Sequence, residues 1–481
     1  MNINPLIFKA YDIRGIYPDE ITPEAAYRIG RAFAQYIWVT VLNKERSPLV
    51  VVNADARASS PALKEELLRG LLDEKCQVID YGLATTPLHY FAINHLKADG
   101  GIMVTASHNP AQYNGFKLSR RGAEPIGEGS GMEEIRNTAL RGIFPVPDEK
   151  GSVIEDNLQT AYLDYICSLV DISKISAEGG FASGEKKMRV VFDVGNGMVG
   201  MLLPKLLERL LLEADILYGN VDMMFPNHEA NPIKDETLTD LQKAVKEKEA
   251  DLGVAFDGDG DRVRFMTPSG FAVPGDITTA LFARQNLRMF HFRNYYSGSG
   301  TSGITLLPSV VYTVNSSRAT REAIEESGGI AIESRVGHAL IKKLMREKNA
   351  LFGGEVSGHF YWQDFFFAES ALLTLLRMLS ILSLQNESLD EMVKPFLRYV
   401  SSGEVNVSVA DKDKALDAVA VRYKDAKEIK YTDGISIVYE DFWFNVRPSN
   451  TEPLLRITME AKEKDALEKR LAEILNLIQH E

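Results

Sequence analysis

The chain has 481 residues, of which 45% are hydrophobic, and it carries a net charge of −13 at pH 7. A chain of this length exceeds what one hydrophobic core can organise, so we expect a globular protein of three or four domains. The negative charge argues against nucleic acids and anionic membrane surfaces as partners.

The sequence also predicts a cytoplasmic location. Its two cysteines, Cys76 and Cys167, are too few for a disulfide framework, and residues 1–5 lack the charged and apolar regions that begin a signal peptide. The longest apolar stretch, residues 371–384, is interrupted by Arg377 and is shorter than the roughly 20 residues of a membrane span. We therefore interpret it as a core helix and expect no membrane partner.

The first third of the chain alternates between helix-like and strand-like segments. Helical spacing over residues 23–37 is followed by a strand at 48–52, a turn at 55–61 and a further helix. The same order recurs up to a short buried strand at residues 102–104. This alternation is typical of an α/β layer with a mostly parallel sheet.

The strand at 102–104 leads into the hexapeptide 105–110, TASHNP. Its final Asn-Pro pair is turn-forming, so the hydroxyl of Ser107 should be presented at a turn rather than packed in the core. His108 follows directly, but adjacent side chains in an extended segment point to opposite faces, which argues against a serine–histidine hydrolase pair. Taken alone, the segment is compatible with an ordinary turn serine.

A second strand–helix series begins after a linker at residues 142–151 that is rich in proline, glycine and charge. Its strand at 189–194 ends in residues 195–200, GNGMVG, which match the dinucleotide-binding fingerprint. A dinucleotide site also needs an acidic residue at the end of the next strand, whereas Asp222 lies in a polar, proline-bearing stretch. A dinucleotide-dependent oxidoreductase therefore remains only an alternative interpretation.

Residues 257–261, DGDGD, follow the apolar strand 252–256. Carboxylates at alternate positions lie on one side of an extended backbone, where like charges repel unless a cation joins them. An EF-hand is excluded because Arg262 and Pro268 occupy the positions of its glycine and its final glutamate. Placement at a strand end favours a Mg²⁺ site over a surface acidic turn. The predicted ligands are Asp257, Asp259 and Asp261.

Three later segments combine residue types that bind sugars or phosphates. Residues 353–359, GGEVSGH, place a carboxylate and a hydroxyl two residues apart, a spacing that can grip adjacent sugar hydroxyls. Residues 447–453, RPSNTEP, combine a fork-shaped cation with hydroxyl and amide groups, which suits a phosphate that is not transferred. Residues 336–343, VGHALIKK, run from a glycine turn into a helix. Each segment has an alternative interpretation that remains open. Residues 353–359 could form a glycine-rich surface loop, residues 447–453 a structural turn, and residues 336–343 a helix cap.

A third region opens at residues 271–287, continues through apolar segments at 305–307 and 310–314, and ends in a helix at 369–384. Its strand–helix alternation resembles that of the two regions before it.

The C-terminal region differs from the rest. After a polar boundary at residues 385–391, it contains short alternating strands such as 405–409 and a closing amphipathic helix at 464–478. That pattern is α+β. The predicted domains are residues 1–153, 154–270, 271–390 and 391–481.

Together these motifs resemble those of the α-D-phosphohexomutase superfamily, most nearly its phosphomannomutase/phosphoglucomutase branch. The hexapeptide at 105–110, read with residues 114–117, NGFK, resembles the family's phosphoserine loop, and residues 8–15, FKAYDIRG, resemble its opening motif. The resemblance covers nearly the whole chain. It implies three similar α/β units with mixed, mostly parallel sheets and a smaller C-terminal α+β domain around a central cleft.

The resemblance also implies a role for residues of each motif. The implied catalytic residues are Ser107, which would carry a phosphoryl group, with His108, Lys117, Arg262 and His338. The implied metal ligands are Asp257, Asp259, Asp261 and phosphorylated Ser107. The implied substrate-binding residues are Tyr11, Arg14, Lys342, Glu355, Ser357, His359, Arg447, Ser449, Asn450 and Thr451.

Three departures from the family pattern bear on the substrate. Arg264 stands where relatives usually carry a small residue, and residues 313–315, TVN, stand where many have an aspartate and a cation. Residues 365–370, FFFAES, lack the paired aspartates expected there. One expected cation is therefore missing, and Arg318 or Arg335 are candidates to replace it.

From the resemblance we expect an isomerase that interconverts hexose 6-phosphate and hexose 1-phosphate, with mannose and glucose as the sugars. Mg²⁺ would be the cofactor, and a hexose 1,6-bisphosphate would be the intermediate and activator. A glucosamine-phosphate mutase is the nearest alternative, although Val356 stands where that branch usually has glutamine. A non-catalytic sugar-phosphate-binding protein is another. We expect a phosphorylated hexose as the partner, and a monomer or small homo-oligomer.

Overall fold

The structure is a computed structural model that describes residues 3–43, 45–175, 187–296, 307–385, 387–449 and 454–479. Residues 305 and 306 of the apolar segment at 305–307 lie outside this set. The chain forms two compact units. The first comprises Met1–Val273 and Gly358–Asp390, and the second comprises Pro274–Ser357 and Glu391–Glu481. The predicted division into four domains cuts across this grouping and stays a prediction.

The first sheet of the first unit is mixed. Its strands are β1 Ile13–Ile16, β2 Leu49–Ala54, β3 Gln77–Leu83, β4 Gly100–Val104, β5 Tyr113–Arg120, β6 Glu124–Pro125 and β7 Ser152–Glu155. They lie in the order β1-β5-β4-β2-β3-β7, with β6 paired to β5. Strands β4, β2, β3 and β7 are parallel, and β5 is antiparallel to its neighbours.

Five helices accompany this sheet. They are α1 Pro23–Thr40, α2 Ser60–Asp73, α3 Thr86–His95, α4 Met132–Arg141 and α5 Gln159–Ser168. Helix α1 begins where the Thr22 hydroxyl accepts a hydrogen bond from the Ala25 N–H and Pro23 supplies a pre-set φ. Its apolar face, which includes Phe33, packs with Leu63 and Leu67 of α2 into the core of the sheet. The predicted α/β layer is confirmed.

The second sheet has four strands and two helices. They are β8 Met188–Asp193, β9 Leu212–Leu217, β10 Leu252–Phe256, β11 Val263–Met266, α6 Leu203–Leu207 and α7 Thr239–Glu247. Strands β9, β8 and β10 are parallel, and β11 is antiparallel to β10. Strand β10 is buried throughout, as its unbroken apolar sequence requires.

The turn at residues 195–200 does not have the geometry of a dinucleotide site. The N–H groups of Asn196 and Met198 donate to the carbonyl oxygens of Tyr218 and Gly258, at 2.9 and 2.8 Å. A Cβ on Gly200 would lie 2.2 Å from the carbonyl oxygen of Gly219, so a neighbouring loop fills the space beside the turn. Since the backbone donors that would hold a pyrophosphate are used within the protein, the oxidoreductase alternative is wrong.

The second unit contains a parallel sheet and an antiparallel one. Next in the chain are β12 Ser309–Thr313, β13 Ile330–Ser334, β14 Phe352–Gly354, α8 Gly275–Tyr296, α9 Arg318–Glu326 and α10 His338–Lys348. Strand β12 is parallel to β13 on one side and to β14 on the other. The predicted strand at 310–314 corresponds to β12.

Residues 358–390 return to the first unit. They contain the antiparallel strands β15 Phe360–Trp362 and β16 Ala368–Glu369 and the helix α11 Ala371–Leu384; the short helix α12 Leu389–Val393 follows. Helix α11 is apolar and largely buried, which confirms that residues 371–384 form a core helix. None of the helices in the described ranges has the length and apolar character that a bilayer crossing requires.

The C-terminal part of the second unit is an antiparallel sheet with two helices. Its elements are β17 Val400–Ser408, β18 Glu428–Lys430, β19 Ile435–Val438, β20 Phe442–Pro448, β21 Leu454–Ala461, α13 Lys412–Arg422 and α14 Lys464–Gln479. The strands lie in the order β17-β21-β20-β19-β18. Short 3₁₀ turns elsewhere lie at Pro5–Ile7, Arg121–Ala123, Ile172–Lys174, Met198–Met201, Asp235–Leu238, Gln363–Phe365 and Lys394–Phe396. The predicted α+β class of the C-terminal region is confirmed.

The sheets place several predicted motifs at strand ends in the first unit. Strand β4 ends three residues before Ser107, and β10 ends directly before Asp257. Strand β2, which is parallel to β4 and adjacent to it, ends directly before Asp55. Since parallel strands end at the same sheet edge, the segments after β2 and β4 meet there.

Candidate active site

Ser107 adopts a left-handed backbone conformation, with φ of +53°, which is uncommon for a residue other than glycine. Its side chain is only slightly exposed, at 2%, and its Oγ donates a hydrogen bond of 2.7 Å to Oδ1 of Asp259. The prediction of a presented hydroxyl is therefore wrong, because a carboxylate from the metal loop covers it.

His108 turns back toward Ser107 because the segment is not extended. Its Nδ1 lies 3.3 Å from Ser107 Oγ and 2.9 Å from Nη2 of Arg262. The predicted divergence of the two side chains is therefore wrong. Withdrawal of the ring from water, with the positive charges of Arg262 and Arg14, holds the pKa of His108 well below its usual value. Since Arg262 can only donate, the neutral ring accepts that bond at Nδ1, and a serine–histidine hydrolase pair stays excluded.

The three aspartates of the metal loop form a buried cluster. Their ligand atoms lie within 4.8 Å of one another. Oδ1 of Asp257 accepts hydrogen bonds of 3.0–3.1 Å from the N–H groups of Gly260, Asp261 and Arg262, which fixes the loop. Burial and the charges of Asp261 and Asp259 raise the pKa of Asp257 well above its usual value.

Lys117, on β5, supplies one positive charge to this cluster. Its Nζ lies 2.7 Å from Oδ2 of Asp259 and 2.6 Å from Oδ2 of Asp261. Burial disfavours the ammonium ion, but the two carboxylates outweigh it and raise the pKa of Lys117 above its usual value. The residue is therefore a cation that donates hydrogen bonds to both carboxylates.

The cluster fits a hard divalent cation. Among the described residues, no hydrogen bond reaches the buried Oδ2 of Asp257 or Oδ1 of Asp261, although His359 Nε2 lies 3.3 Å from the latter as an ion-pair contact. Two unpaired carboxylate oxygens in the interior are costly unless a further cation binds them, and oxygen-only ligands suit Mg²⁺. Arg262 does not take that place, since its Nε lies 3.8 Å from Asp257 and 3.9 Å from Asp261.

The metal loop and the serine loop are in direct contact. A Cβ on Gly258 would lie 2.8 Å from the carbonyl oxygen of Ser107. A side chain at this position would force the two loops apart, so the glycine allows the aspartates to reach the serine.

Arg57 and Asp55 were not singled out by the sequence, although they hold the serine loop. The Arg57 side chain is fully buried, and all five of its N–H donors are used. Four of them bind the carbonyl oxygens of Ser107, Asn109, Pro110 and Tyr113 at 2.7–3.1 Å. The fifth, Nε, binds Asp55 at 3.0 Å.

Asp55 completes the support of Ser107 through Thr105. The Ser107 N–H donates to Thr105 Oγ1 at 2.9 Å, and that hydroxyl donates to Asp55 Oδ2 at 2.7 Å. Both backbone polar groups of Ser107 are therefore held, which stabilises its left-handed conformation. The available signal was positional: an Asp-x-Arg segment follows β2, which is parallel and adjacent to the strand that carries the TASHNP motif.

Arg14 and His359 also lie at this site. Nη1 of Arg14 donates to Oδ1 of Asn109 at 2.7 Å, and its Nη2 pairs with Asp12. His359 Nε2 lies 3.2 Å from Nε of Arg262 and 3.3 Å from Oδ1 of Asp261. Tyr11 is half-buried three residues before Arg14.

The second unit brings the predicted sugar-binding pair together. Ser357 Oγ lies 3.3 Å from Oε2 of Glu355, and Oε1 of Glu355 accepts from the N–H of Gly337 at 3.3 Å. His338 follows Gly337 as the first residue of α10, and Lys342 is buried in the same helix. Residues 336–338 and 355–357 are thus neighbours in this unit.

The predicted phosphate-binding loop connects β20 to β21. Arg447 Nη2 pairs with Oε2 of Glu404 at 2.6 Å, and the Ser449 N–H donates to the carbonyl oxygen of Leu454 at 2.9 Å. Asn450 and Thr451 lie outside the described residues.

The departures from the family pattern have local structural roles. Arg264 Nη1 donates to the carbonyl oxygens of Pro232 and Ile233 at 3.2 and 3.0 Å and lies 3.1 Å from Asp235. It therefore fastens a surface loop. The Arg318 guanidinium donates to the carbonyl oxygens of residues 439, 440 and 442 in the second unit. It therefore does not replace the cation that relatives carry near residues 313–315.

Comparison with known families gives a match to four consecutive domain models. Three describe the alpha/beta/alpha domains I, II and III of phosphoglucomutase/phosphomannomutase and match residues 5–144, 160–270 and 274–399. The fourth describes the C-terminal domain of the same enzymes and matches residues 404–477.

Full-length relatives support the same grouping. Over 474 residues, covering 98% of each chain, the sequence is 38% identical to a protein of Xanthomonas campestris named for phosphohexose mutases. It is 36% identical over 469 residues to a phosphomannomutase of Vibrio cholerae, covering 96% of this chain and 95% of the relative. A crystal structure of a phosphoglucomutase/phosphomannomutase family protein from Burkholderia thailandensis superposes with a TM-score of 0.85 at 29% identity, covering 99% and 97% of the two chains.

We expect Arg57→Lys to lower the free energy of unfolding by roughly 3 kcal/mol, because lysine cannot reproduce the buried five-bond fork. Release of the serine loop should also lower catalytic activity. Urea denaturation and a rate assay measure the two effects. The control is Arg69→Lys, which alters a surface pair with Glu66 and should change stability by less than about 1 kcal/mol. Equal stability of the two variants would contradict the role of Arg57 in holding the serine loop.

Proposed function

Since the chain belongs to the phosphoglucomutase/phosphomannomutase family, we propose that it interconverts hexose 6-phosphate and hexose 1-phosphate through a phosphoserine at Ser107. Membership confirms the resemblance seen in the motifs and the fold of three α/β domains and a C-terminal domain. The observation that carries the proposed mechanism is the buried Ser107 hydroxyl, 2.7 Å from Asp259 in a cluster with two unpaired carboxylate oxygens.

The reaction consists of two opposite phosphoryl transfers. In the first, the P–Oγ bond of phosphoserine breaks and a P–O bond to the free sugar hydroxyl forms, which gives a hexose 1,6-bisphosphate. The sugar hydroxyl loses a proton, and Ser107 Oγ gains one. In the second, the other phosphoryl group returns to Ser107 and the protons move in the opposite sense. One cycle therefore regenerates the phosphoserine without a net change of protons.

Residues around Ser107 are suited to these proton movements. Ser107 Oγ donates a hydrogen bond to Asp259 Oδ1, and Asp259 Oδ2 lies 2.7 Å from the Lys117 ammonium. Lys117 would therefore be the residue that handles the proton, giving it to Ser107 Oγ in the first transfer and taking it back in the second. Arg262 and the neutral His108, whose Nδ1 accepts from Arg262 at 2.9 Å and whose other ring nitrogen can donate, would donate hydrogen bonds to the phosphoryl oxygens.

Asp257, Asp259 and Asp261, with an oxygen of phosphorylated Ser107, would hold Mg²⁺, which would offset the charge that develops on the transferring phosphoryl group. Arg262 fixes the loop from its own N–H, which donates to Asp257 at 3.1 Å. Arg14 orients the serine loop through Asn109. We assign Tyr11 and His359 to the substrate side of the same site.

We also assign substrate binding to residues of the second unit, following the family resemblance. Glu355 and Ser357 would bind the 3- and 4-hydroxyls of the sugar, since their side chains lie together at a strand end. Arg447 and Ser449, with Asn450 and Thr451, would bind the phosphate that is not transferred. His338 and Lys342 would complete this binding region. Because mannose and glucose share both hydroxyls, we propose both as sugars.

We expect purified protein with Mg²⁺ and a trace of glucose 1,6-bisphosphate to convert both mannose 1-phosphate and glucose 1-phosphate to the 6-phosphates. Ser107→Ala should lower kcat by a factor on the order of 1000 or more, because the group that stores the phosphoryl is removed. A coupled assay measures the conversion of both substrates and the kcat of Ser107→Ala. Glucosamine 1-phosphate as the better substrate would favour the sister mutase, and turnover of Ser107→Ala near the wild-type rate would refute the mechanism.

Arg447→Ala should raise KM about tenfold to a hundredfold and change kcat less, since a charge-assisted fork to the held phosphate is lost. The cross-strand neighbour Arg456 provides a matched control, because it pairs with the same Glu404 at 2.8 Å. Arg456→Ala should leave KM within about threefold. Steady-state kinetics of the two variants distinguish phosphate binding from loss of the ion pair, and equal effects on KM would contradict the assignment.

A further inference from the structure

Thr86 joins the first sheet to the metal loop, although no motif singles it out. It is the first residue of α3 and is fully buried. Its N–H donates to the carbonyl oxygen of Asp259 at 2.9 Å. Its Oγ1 donates to Oδ2 of the same residue at 2.5 Å. One residue therefore holds both the main chain and the side chain of the central aspartate.

The carboxylate is the main acceptor of the Thr86 hydroxyl. The sulfur of Met103 also lies within reach of Oγ1, at 3.2 Å. A hydroxyl has one proton, and a charged oxygen at 2.5 Å is a much stronger acceptor than a thioether. The Lys117 Nζ approaches Oγ1 at 3.4 Å and can donate to its lone pair, which favours the same orientation of the hydroxyl.

These contacts determine which way the Asp259 carboxylate faces. Its Oδ2 is bound by Thr86 and Lys117, and its Oδ1 is left for Ser107 Oγ at 2.7 Å. Lysine is flexible and contacts Asp261 as well, so it does not fix the carboxylate plane alone. The short hydrogen bond from the Thr86 hydroxyl, which is anchored at the start of α3, fixes that plane.

We propose that Thr86 is a positioning residue, which holds the Asp259 carboxylate with one oxygen toward Ser107, in the orientation in which this aspartate would bind the cation. The inference rests on the proposed function, because it assumes that the aspartates bind a cation. Groups that orient a metal ligand typically contribute tenfold to a hundredfold in metal affinity or activity. Because the hydrogen bonds of Thr86 run to Asp259, Met103 and Lys117, we expect its effect to fall on cation binding and kcat rather than on KM.

Three variants test the proposal. Thr86→Val removes the hydroxyl and keeps the side-chain shape, and Thr86→Ser keeps the hydroxyl. Thr85→Val is the matched control, since Thr85 is the buried preceding residue and its hydroxyl caps α3 through the Leu88 N–H at 3.3 Å. If Thr86→Val does not fold, Thr86→Ala replaces it. Cation affinity is measured by Mn²⁺ titration, followed by the electron paramagnetic resonance of free Mn²⁺, with no substrate present.

We expect Thr86→Val to weaken Mn²⁺ binding tenfold to a hundredfold and to lower kcat by a similar factor while KM stays within about threefold. Thr86→Ser should restore both quantities, and Thr85→Val should bind Mn²⁺ like the wild type. Wild-type Mn²⁺ affinity in Thr86→Val, or an equal loss in Thr85→Val, would overturn the role of Thr86 and leave the proposed function standing. Absence of Mn²⁺ binding by the wild type would overturn both.

Discussion

The hydrogen bond between Ser107 and Asp259 is the interaction on which the active site depends. It joins two loops that follow strands of different sheets, and its length of 2.7 Å requires both loops to be held within a few tenths of an ångström. Arg57 and Asp55 hold the serine loop after β4, and Thr86 holds the Asp259 carboxylate. The glycine at 258 permits the approach, because any Cβ there would meet the Ser107 carbonyl oxygen.

Electrostatics explains why the site needs so many fixed charges. Three buried carboxylates repel one another, and burial with this repulsion raises the pKa of Asp257, whereas Lys117 lowers the pKa of Asp259 despite both effects. A phosphoryl group on Ser107 would add a further charge of about −1.5 to −2. A divalent cation, Lys117 and Arg262 together supply about +4, which offsets most of the roughly −5 that the three carboxylates and the phosphoryl group would carry. This balance accounts for a phosphate site on a chain whose net charge is −13.

Much of the site was predictable because its residues are consecutive in the chain. The aspartates at 257–261 and the serine loop at 105–110 follow apolar strands, and parallel strands bring such segments to one edge. Helix and strand positions followed from periodicity, as α14 and β10 illustrate. The resemblance supplied the residue roles, which spacing alone did not determine.

Other features of the site could not be predicted from the sequence. The left-handed conformation of Ser107 depends on Arg57, which is 50 residues away, so neither the burial of the hydroxyl nor the proximity of His108 was foreseen. The match at residues 195–200 was misleading for the same reason, since long-range contacts with Tyr218 and Gly258 decide which backbone donors are available. Likewise, Arg264 departs from the family pattern just after the metal loop, but its side chain binds backbone carbonyl oxygens and holds a surface loop. Tertiary contacts thus set what local sequence leaves undetermined.

Direct labelling tests whether Ser107 stores the phosphoryl group. The dephosphorylated protein is incubated with Mg²⁺ and glucose 1,6-bisphosphate, and its intact mass and the peptide spanning residues 105–117 are then measured. We expect a gain of one phosphoryl group on Ser107, its loss on addition of hexose 1-phosphate, and no gain in Ser107→Ala. A protein that turns over substrate while its phosphoryl group is found elsewhere, or nowhere, would contradict this role of Ser107.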